Sequence, residues 1–491
     1  MAESDISSDP SGRLARDFGL YTVAQAVPTL TDVAALMIFT RVFLPAEYGQ
    51  YALIASAVTV LNDVLYGWVV QSVPRFEPQI EDGKFVRITL GLVTSVNGAF
   101  VFVATAGLYL IAPMLGPYEQ FYVAGVVLTV VMGTSNIFIS LLRARLQSKL
   151  VVLYQSSRSI LGLLAALVVA LVVLKDILGW IWGRAIGYAI LAAAYLAFLV
   201  RSVGLTWYRG FEWDLFIKML YYGFPLIGWL VGTTLLNFSD RLIIDFLRGN
   251  RETGIYASNY SIVHYGLTAV FLPFYQSAQP ILMNLWNGNN EAEIRSMIAK
   301  MTRYLFLIGV PVTVLFAGMS RPLSDLFLGS EYVEGAIIIP IVSLGVFLWN
   351  VATIGQKGLE IKNRTKALFG GVTLAVITNV VANIPLILTF GYVGAAFSTV
   401  ISFGVYAAYV YLLSRRYIAW EIPWRNVLNT AVGAVGAAAP FAGLVVLDQY
   451  RTSYTIIASS IGGVAYLGVL YLLGEIRRED IAELRELFDQ T

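Results

Sequence analysis

The chain is written as a succession of apolar stretches, each about as long as a bilayer-crossing helix, joined by short polar connections. A helix crossing the roughly 30 Å hydrocarbon core needs about 20 mostly apolar residues. Fourteen such stretches occur along the 491 residues: 18–43, 49–73, 86–112, 119–142, 152–174, 178–200, 215–246, 254–285, 301–319, 333–355, 366–389, 393–413, 427–447 and 453–474. Of these, 178–200 and 301–319 are the least clear-cut. In lipid every backbone N–H and C=O must be bonded internally, so stretches of this length form helices. Only 13% of the residues are charged and 58% are apolar, whereas soluble chains carry about 25% charged residues. The expected fold is an all-α polytopic membrane protein of about fourteen transmembrane helices.

Absent residue types exclude several chemistries. There are no cysteines, so disulfide frameworks, Cys-ligated zinc and thiol nucleophiles are ruled out. The single histidine, His264, excludes a His-pair metal site. A net charge of +2 gives no basic field for nucleic acid. The polar, acidic N-terminal stretch lacks a basic region before an apolar run, so no cleavable signal peptide is expected.

Lys and Arg fix the expected orientation, because cytoplasmic loops are enriched in them. With the N-terminus inside, 24 of the 33 basic residues fall on the cytoplasmic side, six on the other side and three within spans. The expected location is the plasma membrane, multi-pass, with both termini cytoplasmic.

The chain also repeats itself. Glu47-Tyr48-Gly49-Gln50-Tyr51-Ala52 returns as Glu252-Thr253-Gly254-Ile255-Tyr256-Ala257, an offset of 205 that also maps Ser56 on Ser261, Gln71 on Gln276, Ser72 on Ser277 and Asp32 on Asn237. Trp182-Gly183-Arg184-Ala185 matches Val393-Gly394-Ala395-Ala396 at an offset of 211. Each repeat holds six helices, so both enter the membrane from one side and are expected to form a parallel pseudo-two-fold pair with a cleft between them. The expected organisation is a cytoplasmic tail (1–17), two six-helix lobes (18–205 and 206–418), two additional transmembrane helices (419–474) and an amphipathic cytoplasmic tail (475–491).

Three segments carry a family resemblance. Thr40-Arg41-Val42-Phe43-Leu44-Pro45-Ala46-Glu47-Tyr48-Gly49-Gln50-Tyr51-Ala52, Gln71-Ser72-Val73-Pro74-Arg75-Phe76 and Gly391-Tyr392-Val393-Gly394-Ala395-Ala396 resemble motifs of the polysaccharide transport family. That family comprises O-antigen and lipid-linked oligosaccharide flippases, within the multidrug/oligosaccharidyl-lipid/polysaccharide exporter superfamily. The resemblance extends over the whole chain in span number and two-lobe layout. It implies an alternating-access exporter of a glycan on a polyprenyl phosphate or pyrophosphate, in cell-surface polysaccharide biosynthesis, with glycosyltransferases and a polymerase of the same pathway as partners. It implies no ATPase domain, and no Gly-x-x-x-x-Gly-Lys-Ser/Thr loop occurs. No cofactor is expected; coupling to a sodium or proton gradient stays open.

Ionisable residues at mid-membrane are functional candidates by default, because each costs about 2.5–3.5 kcal/mol to insert. Asp32 lies near the middle of the first span, and Asn62 and Asp63 near the middle of the second. They read as a proton or sodium site or the polar wall of a sugar cavity, or else as a structural pair inside the first lobe. Arg158 and Arg184 suit a phosphate, which guanidinium binds bidentately, or else snorkel to an interface. Asp240, with Arg241 and Asp245, either lines the cleft or forms a local network. His264 is a proton relay or a packing residue; Asn259, Gln276 and Gln279 accompany it among Tyr256, Tyr260 and Tyr275. Arg75 sits at the cytoplasmic mouth, for phosphate capture or for topology alone. Pro28, Pro225, Pro273, Pro311 and Pro340 are expected to kink their spans. Two other functions compete with flipping: a multidrug-extrusion antiporter, and a membrane glycosyltransferase or polymerase. The short loops offer no paired carboxylates for the enzyme reading.

Overall fold

The computed structural model describes residues 10–80, 82–203, 213–288, 290–447, 449 and 451–475. All regular structure among them is helical. The chain divides into two compact units, Met1–Leu242 and Ile243–Thr491. The first contains α1 (Pro10–Val42), α2 (Pro45–Phe76), α3 (Asp82–Leu115), α4 (Tyr122–Ala144), α5 (Ser148–Val168), α6 (Ile177–Val203) and most of α7 (Trp213–Arg248). The second contains the end of α7, then α8 (Asn250–Asn287), α9 (Glu291–Gly318), α10 (Ser320–Phe327), α11 (Ile338–Gly355), α12 (Lys357–Ile361), α13 (Thr365–Phe390), α14 (Tyr392–Ser414), α15 (Trp424–Val446) and α16 (Thr452–Leu472).

Among the described residues eleven helices are long and apolar enough to cross a membrane, or twelve if α7, bent by 43° between Phe224 and Leu226, counts as one. The bend falls at Pro225, a residue type with no backbone N–H to give the helix ladder. Both stretches that were least clear-cut in sequence, now α6 and α9, are among the eleven. The fourteen stretches read from sequence also include α1 and α8, with 33 and 38 residues, which are not among these eleven. A helix that carries polar residues through a bilayer must turn them toward protein or water. α1, α7 and α8 also carry most of the candidate site residues.

Glycines set the helix spacing. Gly179, Gly183 and Gly187 recur every fourth residue, so they form one stripe along α6. A Cβ on them would stand 2.8 Å from Ala170 Cα, 2.4 Å from Ala166 Cα and 2.6 Å from the Leu161 carbonyl oxygen. The stripe therefore lays α6 directly on the backbone of α5 and of the turn 169–173 that continues it, the small-residue packing common between membrane helices. Gly394, the repeat partner of Gly183, does the same in the second unit: its Cβ would stand 2.1 Å from the Leu386 carbonyl oxygen. The core of the first unit is built behind this seam, around Tyr66, Val69, Ile137, Leu141 and Met219.

The last two helices are anchored by Glu475. Gly474 ends α16 with φ +69°, a left-handed conformation that glycine adopts without penalty. The turn sends Glu475 back into the bundle, where it is 4% exposed. Its carboxylate accepts from Asn426 and Asn429 of α15 and lies 3.7 Å from Arg303 Nε of α9; Arg303 also donates to its backbone oxygen at 2.7 Å. The residue expected to open a surface tail is instead buried; 476–491, the rest of that tail, lie outside the described residues. Hydrogen bonds to charged groups contribute about 1.5–3 kcal/mol each, so Glu475→Ala is expected to lower the thermal midpoint of the detergent-solubilised protein by several degrees, measured by tryptophan fluorescence. An unchanged midpoint would show that the cage adds nothing.

A cationic cluster in the first unit as the candidate functional site

The structure sends the two mid-membrane carboxylates to different partners. Asp32 on α1 faces α6, with Arg184 Nη2 3.6 Å from its Oδ1. Asp63 on α2 accepts a hydrogen bond from the Thr234 hydroxyl of α7. The two share a depth in sequence but do not form one site.

Around Asp32 the side chains converge from four helices. Arg184 donates to the Tyr51 hydroxyl of α2 at 2.7 Å and to the Tyr188 hydroxyl at 3.0 Å. Arg158 on α5 donates to Asn136 Oδ1 of α4 at 2.8 Å. Both guanidiniums lie over the ring of Tyr188, at 5.3 Å for Arg158 and 5.8 Å for Arg184. Gly162 creates the space for that ring, since a Cβ there would lie 2.6 Å from Tyr188 Cε1. Arg158 and Gly162 share a face of α5, as Arg184 and Tyr188 share a face of α6, each four residues apart. Both arginines act electrostatically on Asp32. The cluster thus sets two fixed cations against one carboxylate, and its net charge is positive. A sodium ion at Asp32 would enter beside two guanidiniums, which oppose it. An anion would be attracted.

The repeat makes this a property of one unit. Tyr256, equivalent to Tyr51, pairs with Thr399 at 3.3 Å, and Thr399 lies 211 residues beyond Tyr188. The geometric link between the second and sixth helices of the repeat is kept. The charges are not: Asp32 and Arg184 correspond to Asn237 and Ala395.

A second basic feature lies where α2 ends and α7 begins. Arg75 is exposed, with its guanidinium 5.9 Å above the Tyr222 ring, and Phe76 meets Tyr222 edge-on at 5.9 Å. Phe76, Ile217, Lys218, Tyr221 and Tyr222 surround a recess of about 460 Å³. Tyr221 is 84% exposed. Ser72 fixes the two helices here by donating to the Met219 carbonyl at 2.8 Å.

The remaining candidates are placed differently. Asn62 is buried and its amide bonds the carbonyls of Val58 and Thr129, tying α2 to α4. Asp240 is 1% exposed; beside it Arg241 donates to the Ser56 hydroxyl at 3.4 Å and covers the Phe238 ring. Arg241 is buried as well, at 8% exposure. Asn259, expected among sugar-contacting residues, is fully committed: its Nδ2 donates to the Ile255 and Tyr332 carbonyls and its Oδ1 accepts from Ser324. His264 lies between the rings of Tyr260 and Tyr265, at 6.1 and 5.9 Å. The Gln276 side chain lies outside the described residues. Tyr188, Asn136, Lys218 and Tyr222 carry much of the two features and were not singled out in sequence, and Tyr51 was read only as part of the repeat and the family motif. The i,i+4 spacing of Arg184 and Tyr188 was the available signal.

Comparison with known proteins agrees with this architecture. A family model described as polysaccharide biosynthesis protein matches residues 38–337, more than half of the chain. The chain is similar to the probable low-salt glycan biosynthesis flippase Agl15 of Haloferax volcanii, with 25% identity over 179 residues, 36% of this chain and 37% of that protein. The match therefore spans little more than a third of that relative. Among solved structures, the lipid II flippase MurJ in an inward closed conformation matches with a TM-score of 0.69 and 15% identity, over 92% of this chain and 98% of that one. An inward-facing multidrug resistance MATE family transporter matches with a TM-score of 0.68 and 12% identity, over 80% of this chain and 97% of that one. At these identities the structural likeness establishes the fold, which the chain shares with both of these proteins. With that fold and a family match over more than half its length, this multi-pass membrane protein belongs to the polysaccharide biosynthesis protein family.

Proposed function

We propose that this chain flips a polyprenyl-linked oligosaccharide from the cytoplasmic to the outer leaflet by alternating access. The observation that carries the reading is the net positive cluster of Arg158, Arg184 and Asp32 within a lipid-embedded unit. A phosphate-linked glycan brings an anion through the membrane, and fixed guanidiniums offset the cost of taking it out of water. The recess at Arg75 and Lys218 supports the same reading, since aromatic faces beside cations suit a sugar carried on a phosphate. In this proposal that basic end faces the cytoplasm and captures the headgroup, both termini are cytoplasmic, and the chain works beside the enzymes that build and polymerise the glycan.

Cells lacking the protein are expected to accumulate lipid-linked glycan in the cytoplasmic leaflet while its synthesis continues, read by accessibility of the glycan to a membrane-impermeant lectin. Arrest of synthesis would favour an enzyme, and an unchanged leaflet distribution would overturn flipping. Juxtamembrane cations contribute about five-fold in affinity each. Arg75→Gln and Lys218→Gln are therefore each expected to raise the half-saturating substrate concentration about five-fold in reconstituted vesicles. Wild-type saturation in both would remove the recess from the route.

A second reading, a cation-coupled multidrug antiporter, has the MATE-like fold in its favour. The pairing of Asp32 with Arg184 weighs against it, because the carboxylate already has a fixed counter-ion.

A further inference from the structure

The first unit carries a second groove, whose lining on α5 includes Tyr154 and Ser157, next to Arg158. It lies between α5 and α6, with Leu142 of α4 at its side, and holds about 260 Å³ between Leu150, Leu153, Tyr154, Leu191, Tyr195 and Phe198. Its rims are exposed: Leu153 is 62% and Phe198 52% accessible. Its floor is two aromatic rings, Tyr154 and Tyr195, packed edge-on at 5.4 Å. The Tyr154 hydroxyl is turned away to Ser135 Oγ at 3.1 Å, which leaves the ring as an apolar surface. The volume falls below the roughly 300–1,000 Å³ of pockets that enclose a compact ligand, and the groove runs along the helices from Leu191 to Phe198.

Each rim ends in a cation. Lys149 precedes Leu153 by four residues and Arg201 follows Phe198 by three, so each shares a helix face with its rim residue about one turn beyond it. Both are exposed. α5 begins and α6 ends at the same end of the unit, because the two run antiparallel along the glycine seam, so the two cations close the same mouth of the groove. An exposed apolar slot that opens beside two cations matches one kind of occupant: an acyl chain with a phosphate at its head.

We propose that this groove binds an anionic phospholipid of the surrounding bilayer, with one acyl chain against Tyr154 and Tyr195 and its phosphate between Lys149 and Arg201. Its phosphate end uses neither Arg158 nor Arg184, and the proposal does not depend on the substrate assignment.

The test uses the full-length protein in detergent, titrated with phosphatidylglycerol or phosphatidylcholine and read by native mass spectrometry and by thermal midpoint. The wild type is expected to bind phosphatidylglycerol more tightly and to be stabilised by it in a saturable way. Lys149→Gln/Arg201→Gln is expected to weaken phosphatidylglycerol about 25-fold and leave phosphatidylcholine unchanged, at about five-fold per cation. Leu153→Trp, which fills the slot, is expected to weaken both lipids. Should Leu153→Trp fail to fold, the double glutamine variant decides, since both of its positions are exposed. Equal affinity of the wild type for the two lipids, or an undiminished preference in the double variant, overturns the proposal. So does tight binding of polyprenyl phosphate without phosphatidylglycerol, which would give the groove to the substrate tail. A delipidated dimer abolished by Leu153→Trp would give it to a second copy of the chain and equally overturn it.

Discussion

Arg184→Gln is expected to cut transport about thirty-fold and to lower the amount of protein in the membrane, whereas Asp32→Asn/Arg184→Gln is expected to restore the amount but not the transport. The reasoning separates two roles of one guanidinium. Removing it leaves Asp32 without its 3.6 Å partner, and a carboxylate stripped of its counter-ion inside a bundle is costly. Fully buried pairs lose about 3–5 kcal/mol when broken. Here the side chains of Arg184 and Asp32 are 26% and 37% exposed, so about 1–3 kcal/mol is the appropriate expectation. The double variant removes both charges and with them that penalty. It also removes the cation that holds the phosphate, where loss of a charge-paired contact costs upward of about 2 kcal/mol, roughly thirty-fold. The measurements are quantitative blotting of membranes and glycan flipping in vesicles matched for protein. Full transport by the neutral pair would show that the cluster is a structural ion pair and nothing more.

Gly183→Leu is expected to abolish stable accumulation of the protein. Its Cβ would stand 2.4 Å from Ala166 Cα and 2.5 Å from the Ala165 carbonyl oxygen. These are backbone atoms, which cannot swing aside as a side chain can. Overpacking a tight contact costs about 1–3 kcal/mol even where side chains can move, and here α6 would have to lift off α5 altogether. Gly394→Leu in the second unit is expected to behave alike, with its Cβ 2.1 Å from the Leu386 carbonyl oxygen. Gly468→Leu on α16 is the control, because a Cβ there meets nothing within 4 Å. Thermal unfolding of the solubilised variants reads the difference. Equal midpoints for Gly183→Leu and Gly468→Leu would refute the role assigned to the α5–α6 seam.

What the sequence disclosed and what it withheld follow from the range of the forces involved. Span positions depend on local hydropathy, so nearly all the helices were legible, including α6 and α9. The two long helices α1 and α8 read as ordinary spans because apolar residues outnumber polar ones in both. The repeat was legible through Glu47 and Glu252, yet these acids do different work. Glu47 accepts from the backbone of Leu44 within its own helix start, whereas Glu252 accepts from Tyr392 at the start of α14. Partner choice is a tertiary property that residue type does not reveal. Asn259 illustrates this: an intramembrane asparagine suggested sugar binding, but three bonds to its own unit consume it. Tyr188 stayed hidden among 28 tyrosines, and Tyr51 was visible only as a repeat and motif position, not as a partner of Arg184. The stripe Gly179, Gly183, Gly187 was readable at four-residue spacing and would have located the α5–α6 seam.

The Glu475 anchor bears on how the protein is handled in the laboratory. A chain cut after Leu473 would keep every apolar segment and pass any hydropathy test, yet it would lack the clasp that Asn426, Asn429 and Arg303 close upon. Reporter fusions and deletion series therefore need their junctions downstream of residue 475, and a shorter design that loses activity would be reporting a loosened α15–α16 hairpin rather than a missing catalytic or binding element.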